Sequence, residues 1–282
     1  MEKLNLERVS WIITQAFEED LGAGDFTTSA VVERDRAARA KIVAKQSGVI
    51  CGLQIAERVF QTRDPNLQVD ISTKNGVAVE PGATVITITG SGRSILEAER
   101  TALNLIGRMS GIATLARRFV EAVAGTNTII LDTRKTAPLL RELDKYAVRA
   151  GGAQNHRLGL FDMVLIKENH IRYAGGIEQA LTSVFAQKQR DQNEIKVEIE
   201  VRDLDELQQA MRFPVNRIMI DNFSLADMKR AVEIAQGRVQ LEASGGVTLE
   251  TVGEIARTGV DFISVGLLTH SVKNFDFSLL FE

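Results

Sequence analysis

The spacing of apolar residues divides the chain into two parts with different rhythms. From residue 128 onward, short apolar runs of β type alternate with stretches in which apolar residues recur at helical spacing. Strands that alternate with helices run parallel with right-handed crossovers, so this part predicts a parallel α/β sheet. Six strands are fewer than the eight of a complete barrel, which predicts an incomplete, open barrel. The predicted strands are 128–131, 163–166, 195–199, 217–220, 239–241 and 262–265, and the predicted helices are 138–149, 177–187, 204–211, 225–235 and 249–258.

The first part of the chain predicts a mixed α and β domain with antiparallel hairpins. Gly48 is assigned to a turn, and residues 22–28 are assigned to a capped turn. A long helix is predicted to begin at Ser94, because Ser94 and Glu97 fit a capping box. The predicted helices before it are 4–17 and 54–60, and the predicted strands are 39–51, 67–71, 76–79 and 84–89.

The change of rhythm predicts two domains and a tail. We place the mixed α and β domain at residues 1–110 and the open barrel at residues 111–270. Residues 271–282 are too short for a domain and are expected to pack on the first one. Between the first two barrel strands, Pro138 suits the first turn of a helix and Gly151 suits its C-terminal end.

Composition excludes several classes of protein. The formal net charge is −3, from 34 basic and 37 acidic residues, which lacks the basic excess of a general nucleic-acid-binding protein. Cys51 is the single cysteine, so the chain has no intrachain disulfide and no thiolate metal cluster. No apolar run reaches the roughly 20 residues that span a bilayer, and the polar start lacks a signal core. A cytoplasmic protein with no membrane or nucleic-acid partner is expected.

Charged and glycine-rich segments follow the predicted parallel strands at the ends where a barrel carries its active site. The first two strands end in cations, the third and fourth end in acids, and the last two end in small residues. The loop between the first two strands adds a histidine and an arginine. In chain order these candidates are Arg134, Lys135, His156, Arg157, Lys167, His170, Glu198, Glu200, Asp221, Ser244, Gly245, Gly246 and Gly266.

Each of these three groups fits a kind of ligand. Arginine forks match carboxylates and phosphates, and lysine acts as a compact point charge. Glu200 and Asp221 are hard oxygen ligands of the kind that Mg²⁺ prefers beside substrate phosphates. Ser244, Gly245 and Gly246 precede a helix and can offer backbone amides to an anion. Together they predict one substrate with carboxylates, a second with phosphates, and a metal between them.

Several of these residues also allow simpler interpretations. Spacing alone pairs Arg100 with Glu97 on the surface of the long helix. His170 and His270 are interpreted as structural histidines. Lys167 at a strand end is compatible with a Schiff-base lysine or with a salt bridge. Charged or small residues follow all six predicted strands, and this common placement favours a functional site over the simpler interpretations.

Nine segments, in order over nearly the whole chain, resemble the quinolinate phosphoribosyltransferase family, whose members are also called nicotinate-nucleotide pyrophosphorylases. The most specific are LDTRKT, which begins at Leu131, the NHRLG run, which begins at Asn155, and LIKENH, which begins at Leu165. The other segments are GAGDFTT, AERTALNLIGRMSGIAT, EIEV, IDNF, EASGG and VGLLTHS, and the NHRLG run extends backward as KYAVRAGGAQ.

The resemblance implies an N-terminal α/β sandwich domain, an open α/β barrel and a homodimer. It implies that quinolinate and phosphoribosyl pyrophosphate (PRPP) react, with Mg²⁺, to give nicotinate mononucleotide, pyrophosphate and CO₂. Arg100 is then the arginine delivered across the dimer interface, which displaces its interpretation as a surface pair. The implied substrate-binding residues are Arg100, Arg134, His156, Arg157, Lys167, Ser244, Gly245, Gly246 and Gly266, the implied catalytic residues are Lys135, Lys167, Glu200 and Asp221, and the implied metal ligands are Glu200 and Asp221.

Three alternatives stay open at the level of the sequence. A related phosphoribosyltransferase could act on nicotinate or another heterocyclic acid, although a monocarboxylate needs fewer cations. A Schiff-base aldolase could use Lys167 and would need no Mg²⁺. A non-catalytic phosphometabolite-binding protein would be supported by loss of the acids at Glu200 or Asp221, and both are present.

Overall fold

The computed structural model describes residues 4–34 and 36–282, and the chain forms two compact units. Unit 1 comprises the chain up to Arg117, together with Ala137–Gly152 and Ser271–Glu282. Unit 2 comprises Arg118–Thr136 and Ala153–His270. In the part of the chain that the structure describes, no helix is both long and apolar enough to cross a membrane.

Helices and strands alternate along most of the chain. The strands are β1 (Ala37–Ala44), β2 (Gly48–Val49), β3 (Gln68–Ile71), β4 (Ala78–Val79), β5 (Thr84–Ser91), β6 (Ile129–Leu131), β7 (Val164–Ile166), β8 (Val197–Val201), β9 (Arg217–Asp221), β10 (Gln240–Ser244), β11 (Phe262–Ser264) and β12 (Phe277–Phe281). The helices are α1 (Leu6–Leu21), α2 (Phe26–Val31), α3 (Leu53–Arg63), α4 (Gly92–Ala122), α5 (Arg141–Ala150), α6 (Glu168–Ala174), α7 (Ile177–Asp191), α8 (Leu204–Ala210), α9 (Leu225–Ala235), α10 (Val252–Ala256) and α11 (Leu267–His270).

Unit 1 is built on a four-stranded antiparallel sheet in the order β12-β1-β5-β3. Strand β12 comes from the C-terminal tail and pairs with β1, so that Lys41 lies opposite Leu280. Ala40 and Ile42 are fully buried and alternate with more exposed neighbours, because successive side chains of a strand face opposite sides of the sheet. Helix α5 belongs to this unit although it follows β6 in the chain.

A buried ion pair and a close glycine contact fix α5 to α4 within unit 1. Arg108 donates from Nε and Nη2 to the two carboxylate oxygens of Asp144, at 2.8 and 2.7 Å, and the Asp144 side chain is fully buried. At the end of α5, a Cβ on Gly151 would lie only 2.5 Å from the carbonyl oxygen of Ala113. Any side chain at this position would therefore force the two helices apart.

Unit 2 is built on six parallel strands in the order β6-β11-β10-β9-β8-β7. Strands that are consecutive in the chain are neighbours, except that β6 and β7 lie at opposite edges of the sheet. This order is that of a barrel with one unpaired junction, here called the seam, and it confirms the predicted open barrel. Along the seam edge of β6, the amide of Gln154 donates to the carbonyl of Ile130, and the carbonyl of Gln154 accepts from the amide of Asp132.

Two helices begin without the sequence signals that were assigned to their first turns. Helix α4 begins at Gly92, and Glu97 accepts a hydrogen bond from Nε of Arg63 at 2.7 Å, so the predicted capping box and the predicted pair with Arg100 are wrong. Helix α5 begins at Arg141 rather than at Pro138. The reason is Leu139, whose φ of +66° is incompatible with a right-handed helix.

Other differences arise where a pattern is too short to read. Gly48 opens β2 instead of lying in a turn. Residues 22–28 do contain the predicted cap, because Asp25 accepts from the amide of Thr28, but the cap starts the six-residue helix α2. Helices α2, α6 and α11 have only six, seven and four residues, which is less than two turns for each and leaves little periodicity. Strand β12 was not predicted either.

The Arg108–Asp144 pair provides a test of the fold. We expect Asp144→Ala to lower the free energy of unfolding by about 3 kcal/mol, because it leaves the guanidinium of Arg108 without its buried counter-charge. Arg39→Ala, which removes one partner of the exposed Arg39–Glu282 pair, should leave the urea midpoint nearly unchanged. Equal midpoints for the two variants in urea unfolding would contradict the assigned role of the buried pair.

Candidate active site

A cavity of about 620 Å³ opens at the carboxyl ends of the unit 2 strands. Eleven of the residues predicted from sequence line this cavity together, although they come from segments spread over more than 130 positions. Arg100 is not among its lining residues and lies exposed on α4 of unit 1. The predicted residues that line the cavity are Arg134, Lys135, His156, Arg157, Lys167, Glu200, Asp221, Ser244, Gly245, Gly246 and Gly266.

The cationic part of the cavity is built around Arg157. This residue is 9% exposed, and its Nη1 donates to the carbonyl of Met163 at 3.1 Å. Burial and the neighbouring charge of Arg134 both lower the pKa of Arg157, while the carboxyl of Glu198 opposes this shift. Two guanidiniums thus lie close enough to repel one another. An anion with two negative groups would relieve this repulsion.

Lys167 joins the cationic part of the site to the acidic part. Its Nζ lies 2.7 Å from Oε2 of Glu200, on the neighbouring strand β8. Lys167 is the N-cap residue of α6, and its amide donates to Nδ1 of His170 at 2.9 Å. His170 therefore caps a helix, and this contact fixes the segment from which Lys167 extends.

The acidic part consists of Glu200 on β8 and Asp221 at the end of β9. Burial raises the pKa of Asp221, and the charge of Glu200 raises it further. Two carboxylates that repel one another at the edge of a cavity fit a divalent cation, which would relieve that repulsion and leave room for substrate oxygens. These two residues therefore satisfy the chemical requirements of a Mg²⁺ site.

Glycines shape the remaining wall of the cavity. Gly245 has φ +99°, and a Cβ there would lie 2.1 Å from Oδ1 of Asn222. The amide of Asn222 in turn donates to the carbonyl of Ser244 at 2.9 Å. A Cβ on Gly266 would lie 3.2 Å from Cδ of Lys135, so a side chain there would press on that lysine. Glycine is thus required by the backbone at position 245, whereas a side chain at position 266 would crowd Lys135 and His270.

Asp132 holds the loop that carries His156 and Arg157. Its carboxylate is fully buried and accepts from Nδ2 of Asn155 at 2.6 Å and from the amide of His156 at 2.8 Å. The sequence marked Asp132 only as the end of a strand. The signal that could have identified it is an acid two positions before the adjacent cations Arg134 and Lys135.

His156 points its ring nitrogens at protein groups. Nδ1 accepts from the amide of Arg157 at 2.7 Å, and Nε2 lies 3.1 Å from Oε2 of Glu198 and 3.5 Å from Oε1 of Glu242. Burial raises the pKa of each of the two glutamates to about 7. The sequence identified Glu198 only as one of the candidates at the strand ends and gave Glu242 no role, although both lie on the inward-facing side of their strands.

Other lining residues were not predicted as ligands. His270, interpreted from sequence as structural, lies on α11 and lines the cavity. Thr269, beside it, donates from its hydroxyl to the carbonyl of Lys135 at 2.9 Å and so fixes the segment that follows β6. Polar lining residues without a predicted role are Thr133, Asn222, Thr248 and Ser264.

Comparison with known proteins places this arrangement in a family. The profile of the quinolinate phosphoribosyl transferase C-terminal domain matches residues 112–280, and that of the N-terminal domain matches residues 25–110. The chain belongs to the quinolinate phosphoribosyl transferase family. This confirms the resemblance found in the sequence motifs, and the two matched domains together include every candidate site residue.

Individual members of the quinolinate phosphoribosyl transferase family are similar over most of the chain. The chloroplastic nicotinate-nucleotide pyrophosphorylase (carboxylating) of Arabidopsis thaliana is 43% identical over 95% of this chain and 81% of that protein. A probable nicotinate-nucleotide pyrophosphorylase of Synechocystis is 44% identical over 90% of this chain and 88% of that protein. The structure of the enzyme of that name from Francisella tularensis has a TM-score of 0.94 at 41% identity, covering 99% of this chain and 98% of that one.

The buried glutamates provide a test that uses pH. Burial and the charge of Glu198 raise the pKa of Glu242 from 4.5 to about 7, so the folded chain binds this proton more tightly than the unfolded chain. The stability that it contributes is fully present below pH 4.5 and is lost as the pH rises to about 7. We expect the unfolding free energy of the wild type to fall relative to Glu242→Gln by up to about 1.4 kcal/mol per pH unit in this window.

Urea unfolding at several pH values measures this difference, with Glu233→Gln as the control. Glu233 is exposed on α9 of the same unit, so its substitution should leave the dependence on pH parallel to that of the wild type. A Glu242→Gln curve that also runs parallel to the wild type between pH 4.5 and 7 would show that Glu242 does not titrate in this range.

Proposed function

We propose that this chain transfers the phosphoribosyl group of PRPP to quinolinate, with loss of one carboxylate as CO₂, to give nicotinate mononucleotide and pyrophosphate. The observation that carries the proposal is the pair of guanidiniums, Arg134 and buried Arg157, in the cavity that also holds Glu200 and Asp221. Similar proteins named quinolinate phosphoribosyltransferase (decarboxylating) support the same reaction, among them one from Nicotiana tabacum that is 42% identical.

The charge of the cationic part favours a dicarboxylate over a monocarboxylate. Arg134 and Arg157 repel one another. Glu198 and Asp162 both oppose the lowering of the pKa of Arg157, but burial raises the pKa of Glu198 to about 7, so its carboxyl is only partly ionised at neutral pH. A dianion such as quinolinate offers each guanidinium a carboxylate, whereas nicotinate offers one carboxylate to the two. The related reaction on nicotinate therefore ranks below the reaction on quinolinate.

The proposed reaction follows from where the charges lie. The ring nitrogen of quinolinate attacks the ribose carbon as the bond to pyrophosphate breaks, so positive charge grows on the ribose and negative charge on the leaving group. Glu200 and Asp221 stabilise the first, and Lys135 stabilises the second. The carboxylate beside the quaternary nitrogen then leaves as CO₂, its electron pair remains on the ring carbon under the influence of the positive nitrogen, and a proton replaces it.

Mg²⁺ belongs to the proposal as the ion that Glu200 and Asp221 would hold. Bound there, it would supply positive charge to the phosphate oxygens of PRPP. Lys167 would stay paired with Oε2 of Glu200, which would leave the other carboxylate oxygen available to the ion.

The pairing of Lys167 also argues against a Schiff-base aldolase. The amine of a Schiff-base lysine must be free to attack a carbonyl, but Nζ of the half-exposed Lys167 forms an ion pair with Glu200 at 2.7 Å. A purely binding role is disfavoured because both acids that the chemistry needs line the cavity.

One assay tests the reaction. Purified protein with quinolinate, PRPP and Mg²⁺ should release CO₂ and pyrophosphate in equal amounts, because the two departures belong to one turnover. Nicotinate in place of quinolinate should give pyrophosphate release that is lower by at least roughly ten-fold, and removal of Mg²⁺ with EDTA should abolish turnover. Pyrophosphate release that is equal with both acids, or unaffected by EDTA, would contradict the proposed substrate or the proposed metal.

Two copies of the chain complete the proposed site. Arg100, which is exposed on α4 and absent from the cavity lining, is the residue that a partner subunit would contribute. We expect Arg100→Ala and Asp221→Asn each to be inactive alone. When the two variants are co-expressed, mixed dimers contain one intact site, so about a quarter of the wild-type activity should return. Absence of any recovery in dimers of confirmed mixed composition would contradict the exchange of Arg100.

A further inference from the structure

A buried polar cluster adjoins the cavity, which one of its members lines, and the proposed chemistry does not use it. It consists of His156, Glu198 and Glu242, whose facing nitrogen and oxygen atoms lie within 4.8 Å of one another. Both glutamate side chains are fully buried, and the side chain of His156 is 5% exposed. Burial of two acids beside a histidine costs free energy unless these groups are protonated, paired or hydrogen-bonded.

The hydrogen bonds of His156 determine where its ring proton lies. The amide of Arg157 donates to Nδ1 at 2.7 Å, and an amide can only donate, so Nδ1 carries no proton. The proton must then be on Nε2, which lies 3.1 Å from Glu198 and 3.5 Å from Glu242. Nδ1 thus binds the backbone of Arg157, and Nε2 faces the carboxyls of Glu198 and Glu242.

This pattern also excludes a metal ion held by the three residues. A metal bound at Nε2 needs the lone pair of that atom, which would move the ring proton to Nδ1, where it would meet the amide hydrogen of Arg157. Positive charge is already supplied by Arg217, whose Nη1 lies 2.6 Å from Oε2 of Glu242 and whose guanidinium lies over the ring of Phe262. Arg217 therefore already places a positive charge beside Glu242.

We propose that Glu198 and Glu242 are positioning residues, which act through His156 to hold Arg157 in the orientation that binds a substrate carboxylate. The chain of contacts runs from the two carboxyls to Nε2 of His156 and from Nδ1 to the amide of Arg157. This inference rests on the proposed function for the identity of the substrate. The geometry that carries it is independent of that function.

The tautomer of His156 is measured on the unmodified protein. The chain has three histidines, so a sample labelled with ¹⁵N in histidine gives few signals, and His170→Asn and His270→Asn assign the other two. We expect His156 to be the neutral form with the proton on Nε2. A signal from the imidazolium, or from the form with the proton on Nδ1, would overturn the proposal, and no substitution in the cluster is needed to see it.

The action through Arg157 is measured with a double-mutant cycle. Glu198→Leu removes an acceptor from Nε2 of His156 and should raise the KM for quinolinate roughly ten-fold, with the KM for PRPP changed by less than about two-fold. Glu198→Gln keeps an acceptor oxygen and should restore most of the loss. In an Arg157→Lys background, Glu198→Leu should have little further effect on the KM for quinolinate.

Two outcomes of the cycle would overturn the proposal. Equal effects of Glu198→Leu with and without Arg157→Lys would show that Glu198 acts independently of Arg157. Equal rises in both KM values would show general damage to the barrel, which thermal unfolding of each variant monitors. If the wild type does not turn over quinolinate with PRPP, the proposed function fails, while the tautomer of His156 still decides the positioning geometry.

Discussion

The open seam between β6 and β7 is the constraint on which the site depends. A closed barrel would pair these strands with each other, but here the loop from Ala153 takes a place beside β6, through the backbone bonds of Gln154. Asp132 fixes the same loop from the end of β6 by accepting from Asn155 and from the amide of His156. Because the loop is held as part of the sheet edge, His156 and Arg157 reach the cavity from a defined backbone rather than from a free loop.

The second organising feature is the placement of charge around the cavity. Cations come from the end of β6, from the seam loop and from the end of β7, whereas acids come from β8 and β9. Lys167 and Glu200, on neighbouring strands, pair where the two groups meet. Repulsion among the cations and among the acids is thereby left for ligands to relieve, which is how a protein can bind anionic substrates and a metal side by side.

The sequence and the structure agree most closely where the pattern is long and regular. Helix α9 has the predicted bounds, and the six parallel strands differ from the predicted ones by a few residues at their ends. Differences concentrate where one residue overrides a pattern, as Leu139 does before α5, or where an element is short, as α2 and α11 are. Hydrophobic periodicity averages over several turns, so it registers neither a single positive φ nor a single helical turn.

The sequence by itself determined the fold class and the composition of the site, because parallel strands bring the residues at their carboxyl ends together. This alone predicted that Lys167, Glu200 and Asp221 share one cavity. The tertiary structure decided what each group faces inside the barrel. Both ring nitrogens of His156 turn out to face protein groups, and Glu198 and Glu242 meet beside this ring although 43 other residues separate them in the chain. Side-chain direction, tautomer and burial depend on distances of a few ångströms between residues remote in sequence. The spacing of residues along the chain does not determine these distances.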